Sequence, residues 1–266
     1  GRRVRARAGQ GLNRTPGTLA ADFARDGWVV VRGAISAADI ASYLEGFDAC
    51  VPAVNYPRRK GGVVWEVGTP SRHHPALMAA ARNPRLGALA AEVLACASVQ
   101  LLNDTLLYKP ARQGGPVEWH QDYTYVGYLV PPQAISIRIA LVAEDADSGA
   151  QHVVSGSHHW GPLGDVRALS DSKVDSIVPL LSPAQAAQLA DARTLALEPG
   201  DISIHHCLTL HGSPPNKSDR HRKTLVLRMF DAASRCDAAL LPAAMRGHFP
   251  ADAEGRLSTD AFPVVH

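Results

Sequence analysis

The chain has 266 residues, of which 46% are hydrophobic and 20% charged, and its formal net charge is +2. This composition predicts an ordinary globular protein that buries a hydrophobic core, and four scattered cysteines are too few for a disulfide scaffold. No apolar run approaches the roughly 20 residues of a membrane span. With no CxxC pair either, we expect a reduced, cytoplasmic protein whose cysteines are buried and structural.

The N-terminal segment, residues 1–17, is strongly basic and contains no acidic residue. Its five arginines allow two interpretations, a solvated disordered tail or an arm that binds nucleic acid or a membrane. Without these arginines the 27 basic residues of the chain fall to 22, against 25 acidic ones. A slightly acidic body lacks the electrostatic footprint of a nucleic-acid-binding protein. We therefore expect a disordered tail and no nucleic-acid or membrane partner.

The next part of the chain carries mostly helical patterns. A short helix is predicted over 18–26 and a strand over 27–35, where β-branched residues follow one another. Ser36 is a favourable N-cap for a second helix. The alanine-rich stretch 76–95 predicts two helices that are separated at Pro84.

Residues 52–75 are rich in proline and glycine, which predicts a long loop with at most one short strand, at VVWEV. Loops of this length inside a compact domain often act as lids. The basic cluster at 58–60 is interpreted either as part of a solvated loop or as a contact for the phosphates of a CoA thioester. We expect the rim of a substrate pocket to come from three stretches, 52–75, 123–134 and 159–181.

From residue 99 onward, short strand-like runs alternate with glycine, proline and aspartate turns. Many short strands behind a helical segment predict an α+β fold with a double-stranded β-helix (jelly-roll, cupin-like) core. One helical insertion is predicted at 182–192, beginning at Ser182 and Pro183. We expect one domain with helices packed on one sheet. Its parts are a helical region (18–98), a jelly-roll core (about 99–235) and a C-terminal extension (236–266), together 18–266.

The stretch EWHQDYTY contains His120 and Asp122, two residues apart in a run that is typical of a strand. Residues i and i+2 of a strand point to the same face, so the two side chains are expected to converge on one point. An isolated HxD pair is a weak signal for a metal site, because exposed strands carry it by chance. A second cluster is needed to support it.

That second cluster lies in EPGDISIHHCLTLHGSPPNKSDRHRKTLVLRMF. We predict one strand from Ile202 to His211, with Ser203, His205 and His211 on its polar face. Arg222 begins another apolar strand, and a hairpin between the two strands would bring Arg222 next to His211.

Two histidines and one carboxylate on the inner face of a jelly roll can hold a metal from one side. Such a set leaves three coordination positions open, as in the non-haem Fe(II) oxygenases. A nearby arginine offers a planar pair of donors for a carboxylate, which points to a 2-oxo acid co-substrate. A zinc hydrolase and a non-catalytic jelly-roll binding protein are the two alternatives from other functional classes. Neither has a use for the arginine together with a complete ligand set.

Four stretches, WHQD, DSGAQHVVSGSH, PGD and HGSPPNKSDRHR, together resemble the phytanoyl-CoA dioxygenase-like (PhyH) family of Fe(II)/2-oxoglutarate-dependent oxygenases. The resemblance is clear over about 100–235 and looser before that. It implies that His120, Asp122 and His211 are the iron ligands. It also implies that Arg222, with help from Ser213, binds the distal carboxylate of 2-oxoglutarate.

The resemblance further implies an enzyme that uses Fe(II), 2-oxoglutarate and O₂ on a small-molecule substrate. The expected reaction is hydroxylation of an unactivated C–H bond, with release of succinate and CO₂. Related halogenases lack the carboxylate ligand, so Asp122 favours hydroxylation over halogenation. Desaturation, epoxidation, ring closure and epimerisation on the same iron remain open, because pocket geometry and not the motif decides between them.

Several polar residues near these motifs have two interpretations each. Arg138 stands where the family often has tryptophan. It would bind an anionic ligand, or else it would point to solvent or pair with a structural acid. Lys109 would contact the co-substrate or lie at the surface as a strand-end lysine. His205 and His206 are not expected to be ligands. Tyr125 or Tyr128 would line the substrate pocket, or would belong to the core or to a lid.

Overall fold

The computed structural model describes residues 18–51, 64–163, 180–241 and 243–266. The predicted basic tail, residues 1–17, and the basic cluster at 58–60 lie outside the described residues. Within the described ranges, no helix is both long enough and apolar enough to cross a membrane. The four cysteines are free thiols, and three of them are buried.

Six α-helices are described, and the first four lie within residues 18–94, where the sequence predicts a helical region. Ser36 caps the second helix through a hydrogen bond from the Asp39 amide, and Asn83 caps the fourth through the Arg85 amide. Ser182 and Gln185 form a capping box at the start of the sixth. The helices are α1 (Thr18–Asp26), α2 (Ala37–Cys50), α3 (Pro75–Ala81), α4 (Pro84–Leu94), α5 (Tyr123–Val126) and α6 (Pro183–Leu189).

Twelve strands are described, and each pairing between neighbouring strands is antiparallel. They are β1 (Trp28–Val31), β2 (Trp65–Gly68), β3 (Val99–Lys109), β4 (Val117–His120), β5 (Leu129–Val130), β6 (Ala134–Ala140), β7 (His152–Val153), β8 (Arg193–Thr194), β9 (Ile202–His206), β10 (His211–Ser213), β11 (Arg222–Asp231) and β12 (Arg235–Cys236).

These strands form two main sheets and one small ribbon. The large sheet has the order β1-β9-β6-β11-β3-β2, and the small sheet has the order β4-β10-β7-β8. Strands β12 and β5 pair separately. Helices beside two antiparallel sheets confirm the predicted α+β jelly-roll fold.

The large sheet has one apolar face and one polar face. Ile137 of β6, Ile204 of β9 and Leu227 of β11 belong to the main hydrophobic cluster, together with Phe47 of α2 and Leu86 of α4. The alternate residues along the same strands point the other way, toward the interior of the jelly roll. On that side lie the polar residues that the functional site needs.

The predicted single strand from Ile202 to His211 is wrong. Strand β9 ends at His206 in the large sheet, and β10 begins at His211 in the small sheet. Between them the chain turns, with the Thr209 amide donating to the His206 carbonyl. Alternation of polar and apolar residues continues through this turn, because Leu208 and Leu210 pack into clusters of their own. The sequence pattern therefore could not reveal the crossing.

The predicted hairpin between the strands of His211 and Arg222 is also wrong. Strand β11 pairs with β3 and β6 in the large sheet, and β10 pairs with β4 and β7 in the small one. Arg222 therefore reaches the interior from the sheet opposite His211.

Candidate metal centre and co-substrate site

The three predicted metal ligands come from two strands and a turn. His120 is the last residue of β4, and His211, its direct partner in the ladder, is the first residue of β10. Asp122 lies beyond the end of β4, in helical conformation (φ −58°, ψ −28°) just before α5. The expectation that His120 and Asp122 share a strand face is therefore wrong. A turn brings the two side chains together instead.

The nitrogen and oxygen donors of this triad lie close enough to share one metal ion. One ligand atom from each of His120, Asp122 and His211 can be chosen so that all lie within 4.8 Å of one another. The Oδ1 atom of Asp122 is 3.6 Å from Nε2 of His120 and 3.7 Å from Nε2 of His211. It is the one such cluster in the described part of the chain. Two imidazoles and a carboxylate form a donor set that suits Fe(II).

Hydrogen bonds to the backbone orient both imidazole rings. Nδ1 of His120 lies 2.7 Å from the carbonyl oxygen of Glu118, and Nδ1 of His211 lies 2.9 Å from that of Thr209. A carbonyl only accepts, so each Nδ1 carries the proton and each Nε2 keeps a free lone pair. Such second contacts are typical of metal-binding histidines. Burial also lowers the pKa of His211 well below its usual value, which favours the neutral ring that binds a metal.

The second oxygen of Asp122 is held by residues of the large sheet. Ser136 Oγ donates to Oδ2 at 2.5 Å, and His205 Nε2 lies 3.2 Å from the same atom. Burial raises the pKa of Asp122, but the neighbouring Arg228 and the histidines outweigh it, so that the pKa lies well below its ordinary value. Asp122 is therefore a carboxylate, ready to bind a cation.

His205 and Ser136 were missed as members of the site. His205 is not one of the three clustered ligands, as expected, but its ring centroid lies 4.3 Å from that of His211. Both residues alternate with buried isoleucines on strands of the large sheet. Polar residues at alternate positions of buried strands are the sequence signal that could have found them.

Arg222 lies on the same cavity as the triad, from the first position of β11. Its side chain is almost wholly buried, and its Nη1 donates to the carbonyl oxygen of Gly149. Its Nε has no hydrogen-bond partner, although it is buried. Burial lowers the pKa of Arg222 to about 10, which Glu144 opposes and Arg138 reinforces. A buried cation with an unpaired donor fits the carboxylate of a 2-oxo acid.

Lys109 is fully buried, so the alternative of a surface lysine is wrong. Its Nζ lies 2.6 Å from Ser213 Oγ and 2.7 Å from the carbonyl oxygen of Pro214. Burial, together with the charges of Arg222 and Arg138, lowers the pKa of Lys109 to about 5. The lysine thus orients Ser213, which borders the cavity beside Arg222.

Arg138 has a structural acid as its partner and also borders the cavity. Its Nη2 donates to Glu144 Oε2 at 2.9 Å, and its Nη1 donates to Gln151 at 3.2 Å. The other Glu144 oxygen accepts from Thr224 at 2.5 Å. Both sides of this ion pair are buried, and each has a second hydrogen bond, which offsets part of the desolvation cost. Arg138 therefore has the structural acid Glu144 as its partner. It also remains on the cavity wall, where its charge can act on an anionic ligand.

The two tyrosines after the triad differ in position. Tyr128 is buried in a hydrophobic cluster with Phe249, which agrees with the interpretation that it belongs to the core. Tyr125 is 63% exposed, and its ring centroid lies 6.1 Å from that of His120. It stands beside the metal centre on the solvent side.

The sequence profile of the phytanoyl-CoA dioxygenase (PhyH) family matches residues 23–224, more than half of the chain. The match includes the triad and Arg222. A Stutzerimonas stutzeri protein named "Probable alpha-ketoglutarate-dependent hypophosphite dioxygenase" is 28% identical over 130 residues. That alignment covers 49% of this chain and 44% of the relative, so the matched region spans less than half of the relative's length.

Solved structures share the fold over nearly the whole chain. The epimerase SnoN from nogalamycin biosynthesis has a TM-score of 0.77 at 24% identity, covering 94% of this chain and 97% of SnoN. The carbocyclase SnoK from the same biosynthesis has a TM-score of 0.77 at 18% identity, covering 96% and 97%. EctD from S. alaskensis has a TM-score of 0.67 at 21% identity, covering 85% and 80%. Identities this low support a shared fold only.

The family profile covers the triad and Arg222, and these residues suit a metal and an anionic co-substrate. The chain therefore belongs to the phytanoyl-CoA dioxygenase (PhyH) family.

Proposed function

We propose that this enzyme hydroxylates an unactivated C–H bond of a small molecule, a natural-product intermediate or small metabolite. In the overall reaction, substrate, 2-oxoglutarate and O₂ give hydroxylated substrate, succinate and CO₂. One oxygen atom enters the substrate and the other enters succinate. The two electrons from the C–H bond and the two from oxidative decarboxylation reduce O₂, so the equation balances.

The observation that carries this proposal is the pairing of a complete ligand triad with a buried, partly unpaired arginine in one cavity. A hydrolytic zinc site has no use for Arg222. A binding protein would gain nothing from keeping Asp122 ionised beside two metal-ready imidazoles. The carboxylate ligand also leaves no place on the iron for the halide that a halogenase needs.

Each residue of the cavity has a role in this proposal. His120, Asp122 and His211 would hold the iron, which supplies O₂ activation when it is bound. Arg222 would bind the distal carboxylate of 2-oxoglutarate, and Ser213, oriented by Lys109, would donate a hydrogen bond to it. These side chains fix the co-substrate and exclude water, because each of the polar groups that face it is buried.

Arg138 would add positive charge near the co-substrate while Glu144 keeps it in place. Its Nη1 and Nη2 are shared with Gln151 and Glu144, so we assign it an electrostatic role and no direct bond. Such a group favours a dianionic co-substrate over a neutral one.

Other outcomes on the same iron are the alternative, because pocket geometry decides between them. The chain shares its fold, over 94–96% of its length, with proteins described as an epimerase and a carbocyclase. Epimerisation or ring closure would use the same triad and the same co-substrate, with a differently placed substrate. Desaturation and epoxidation belong to the same set of outcomes.

Turnover under ¹⁸O₂ with mass spectrometry tests the proposed reaction. Candidate substrates are first found by succinate release above the level without substrate. Hydroxylation predicts a product that has gained one labelled oxygen atom. A product with unchanged mass would indicate epimerisation, and a product that has lost two hydrogens would indicate ring closure or desaturation. Either result would overturn hydroxylation while keeping the oxygenase class.

A further inference from the structure

Arg228 is a second arginine on the inner face of β11, and its one role so far is to lower the pKa of Asp122. It lies six residues beyond Arg222, so both point to the same side of the strand, about 20 Å apart along it. Both line the cavity that contains the triad, with Val226 between them. Arg222 lies at the proposed co-substrate end, whereas Arg228 lies next to the triad, with Nε 3.9 Å from Asp122 Oδ2.

A β-bulge follows Arg228 directly. Arg228 pairs with Asn103 of β3 and Met229 pairs with Leu101, so Leu102 is an extra residue in β3. Bulges increase the local twist and redirect side chains, and they are common next to active sites. Beyond the bulge Phe230 packs in a hydrophobic cluster. Arg228 is therefore the last polar residue on the inner face of β11.

Neutral side chains hold the guanidinium of Arg228. Its Nη1 lies 3.3 Å from Asn103 Oδ1 and 3.2 Å from Thr105 Oγ1, which both accept from it. Such acceptors fix the plane of the guanidinium and leave its charge in place. A group held in this way binds an anion at a lower entropic cost than a mobile surface arginine.

Asp122 does not neutralise Arg228 through a hydrogen bond. Among the described residues, Asp122 is the acid that comes within 4.0 Å of the Arg228 guanidinium. The distance from Nε to Oδ2 is 3.9 Å, which exceeds hydrogen-bond length. The Oδ2 atom in question already accepts from Ser136 and faces His205. The Arg228 side chain is 26% exposed, so its remaining donors are open to the cavity.

We propose that Arg228 anchors an oxyanion group of the primary substrate, such as a carboxylate or a phosphorus oxyanion, beside the iron. The inference rests on the proposed function, because it needs the metal centre at the triad. Arg228 is then a specificity residue for anionic substrates, and Arg222 holds the co-substrate. The guanidinium offers two parallel donors, which match the two oxygens of such a group.

Removal of the positive charge gives the direct prediction. The Arg228→Gln variant should weaken the binding of a small oxyanion about tenfold, which is the loss expected for a partly exposed charged pair of hydrogen bonds.

The experiment uses acetate as the probe and acetamide as its neutral match. The protein is loaded with Fe(II) and 2-oxoglutarate without oxygen, and the broadening of the probe's methyl signal by the iron is followed by NMR. At constant ionic strength, wild type should broaden acetate far more than acetamide. Arg228→Lys should keep part of the acetate response, because lysine keeps the positive charge but lacks the two parallel N–H donors of the guanidinium.

Equal broadening of acetate and acetamide by wild type would overturn the proposal. So would an acetate response that Arg228→Gln leaves unchanged, or an absence of broadening in wild type. The visible charge-transfer band of the iron–2-oxoglutarate complex is recorded on each sample. If wild type lacks that band, the proposed function has failed; if the band forms without an acetate response, only this inference has failed. Should Arg228→Gln lose the band, Arg228→Lys, which keeps the positive charge beside Asp122, decides: an acetate response in Arg228→Lys as large as that of wild type would overturn the proposal.

Discussion

The two faces of the large sheet are both buried, but they are buried in different ways. On β6, Ile137 points to the helices and packs in the main hydrophobic cluster, while its neighbour Ser136 points inward and donates to Asp122. Likewise Ile204 of β9 faces the helices and His205 faces the metal centre. The strands therefore alternate between a packing role and a chemical role with every residue.

The two faces teach different physical lessons. The helix-facing side is stabilised by apolar area removed from water, and its residues need only the right shape. The inner side carries buried lysine, arginine, histidine and glutamate, which cost free energy unless each is paired. Arg138 is paired with Glu144, whereas the buried Nε of Arg222 has no hydrogen-bond partner. The inner face therefore depends on a bound anion in a way that the outer face does not.

The largest expected effect is loss of a metal ligand on the inner side. We expect His211→Ala to lower the affinity for Fe(II) by more than about 100-fold, which exceeds the loss typical of second contacts to a ligand. The control is His73→Ala, because His73 is exposed and lies outside the triad. Anaerobic Fe(II) titration measures both variants. Equal affinities would mean that His211 does not bind the metal.

On the helix-facing side, we expect Ile137→Ala to cost about 2–5 kcal/mol of unfolding free energy, because it leaves a cavity in a close-packed core. The affinity of the folded protein for iron should not change. Urea unfolding of the metal-free protein gives the first quantity, and iron titration well below the unfolding midpoint gives the second. A large loss of iron affinity in the folded variant would break the distinction between the faces.

The neighbouring residue should show the opposite behaviour. We expect Ser136→Ala to lower iron affinity about 10- to 100-fold, because Asp122 loses the hydrogen bond that orients it. The cost in unfolding free energy should be smaller than for Ile137→Ala. Ser136→Thr, which keeps the hydroxyl, should restore part of the affinity. If Ser136→Ala binds iron like wild type, Ser136 does not position Asp122.

The smallest effect, when counted per pH unit, concerns the pH dependence of stability. The pKa of Lys109 is about 5 in the folded protein, below its ordinary value of 10.5, so the unfolded chain binds one more proton between these values. Stability must therefore rise with pH in this window, by up to about 1.4 kcal/mol per pH unit. The free-energy cost of burying the Lys109 side chain is fully present below pH 5 and decreases as the pH rises toward 10.5.

Lys109→Met removes this titration. Urea unfolding of the metal-free protein between about pH 6 and pH 9 should show a steeper rise in unfolding free energy for wild type than for the variant. The two slopes should differ by up to about 1.4 kcal/mol per pH unit, which corresponds to one proton. Arg220→Met serves as the control, because Arg220 is exposed. Parallel curves for wild type and Lys109→Met would show that the lysine is protonated in the folded protein.

Much of the fold could be predicted because its signals are local. Ser36 and Asn83 cap their helices, Pro84 begins α4, and Arg222 begins β11, as the sequence indicates. The triad and Arg222 could be named because the late motif is specific in both residue type and spacing. These features depend on a few neighbouring residues, so a single sequence contains them.

The errors share a different cause, because each depends on where the chain changes sheet. Asp122 lies in a turn and not on β4, and the run that includes His205 and His211 is divided between two sheets. Period-2 alternation continues through both turns, since turn residues there are also buried. Only tertiary packing shows that Arg222 approaches from the opposite sheet, or that His205 reaches Asp122.

The most direct test of the central claim is an anaerobic optical titration with Fe(II) and 2-oxoglutarate. Wild type should develop a weak visible charge-transfer band that requires both components. The band should be absent in His120→Ala, and in Arg222→Ala it should appear only at higher 2-oxoglutarate concentration. A wild-type protein that binds no iron, or that binds iron with no response to 2-oxoglutarate, would contradict the assignment of the cavity to an iron-dependent oxygenase.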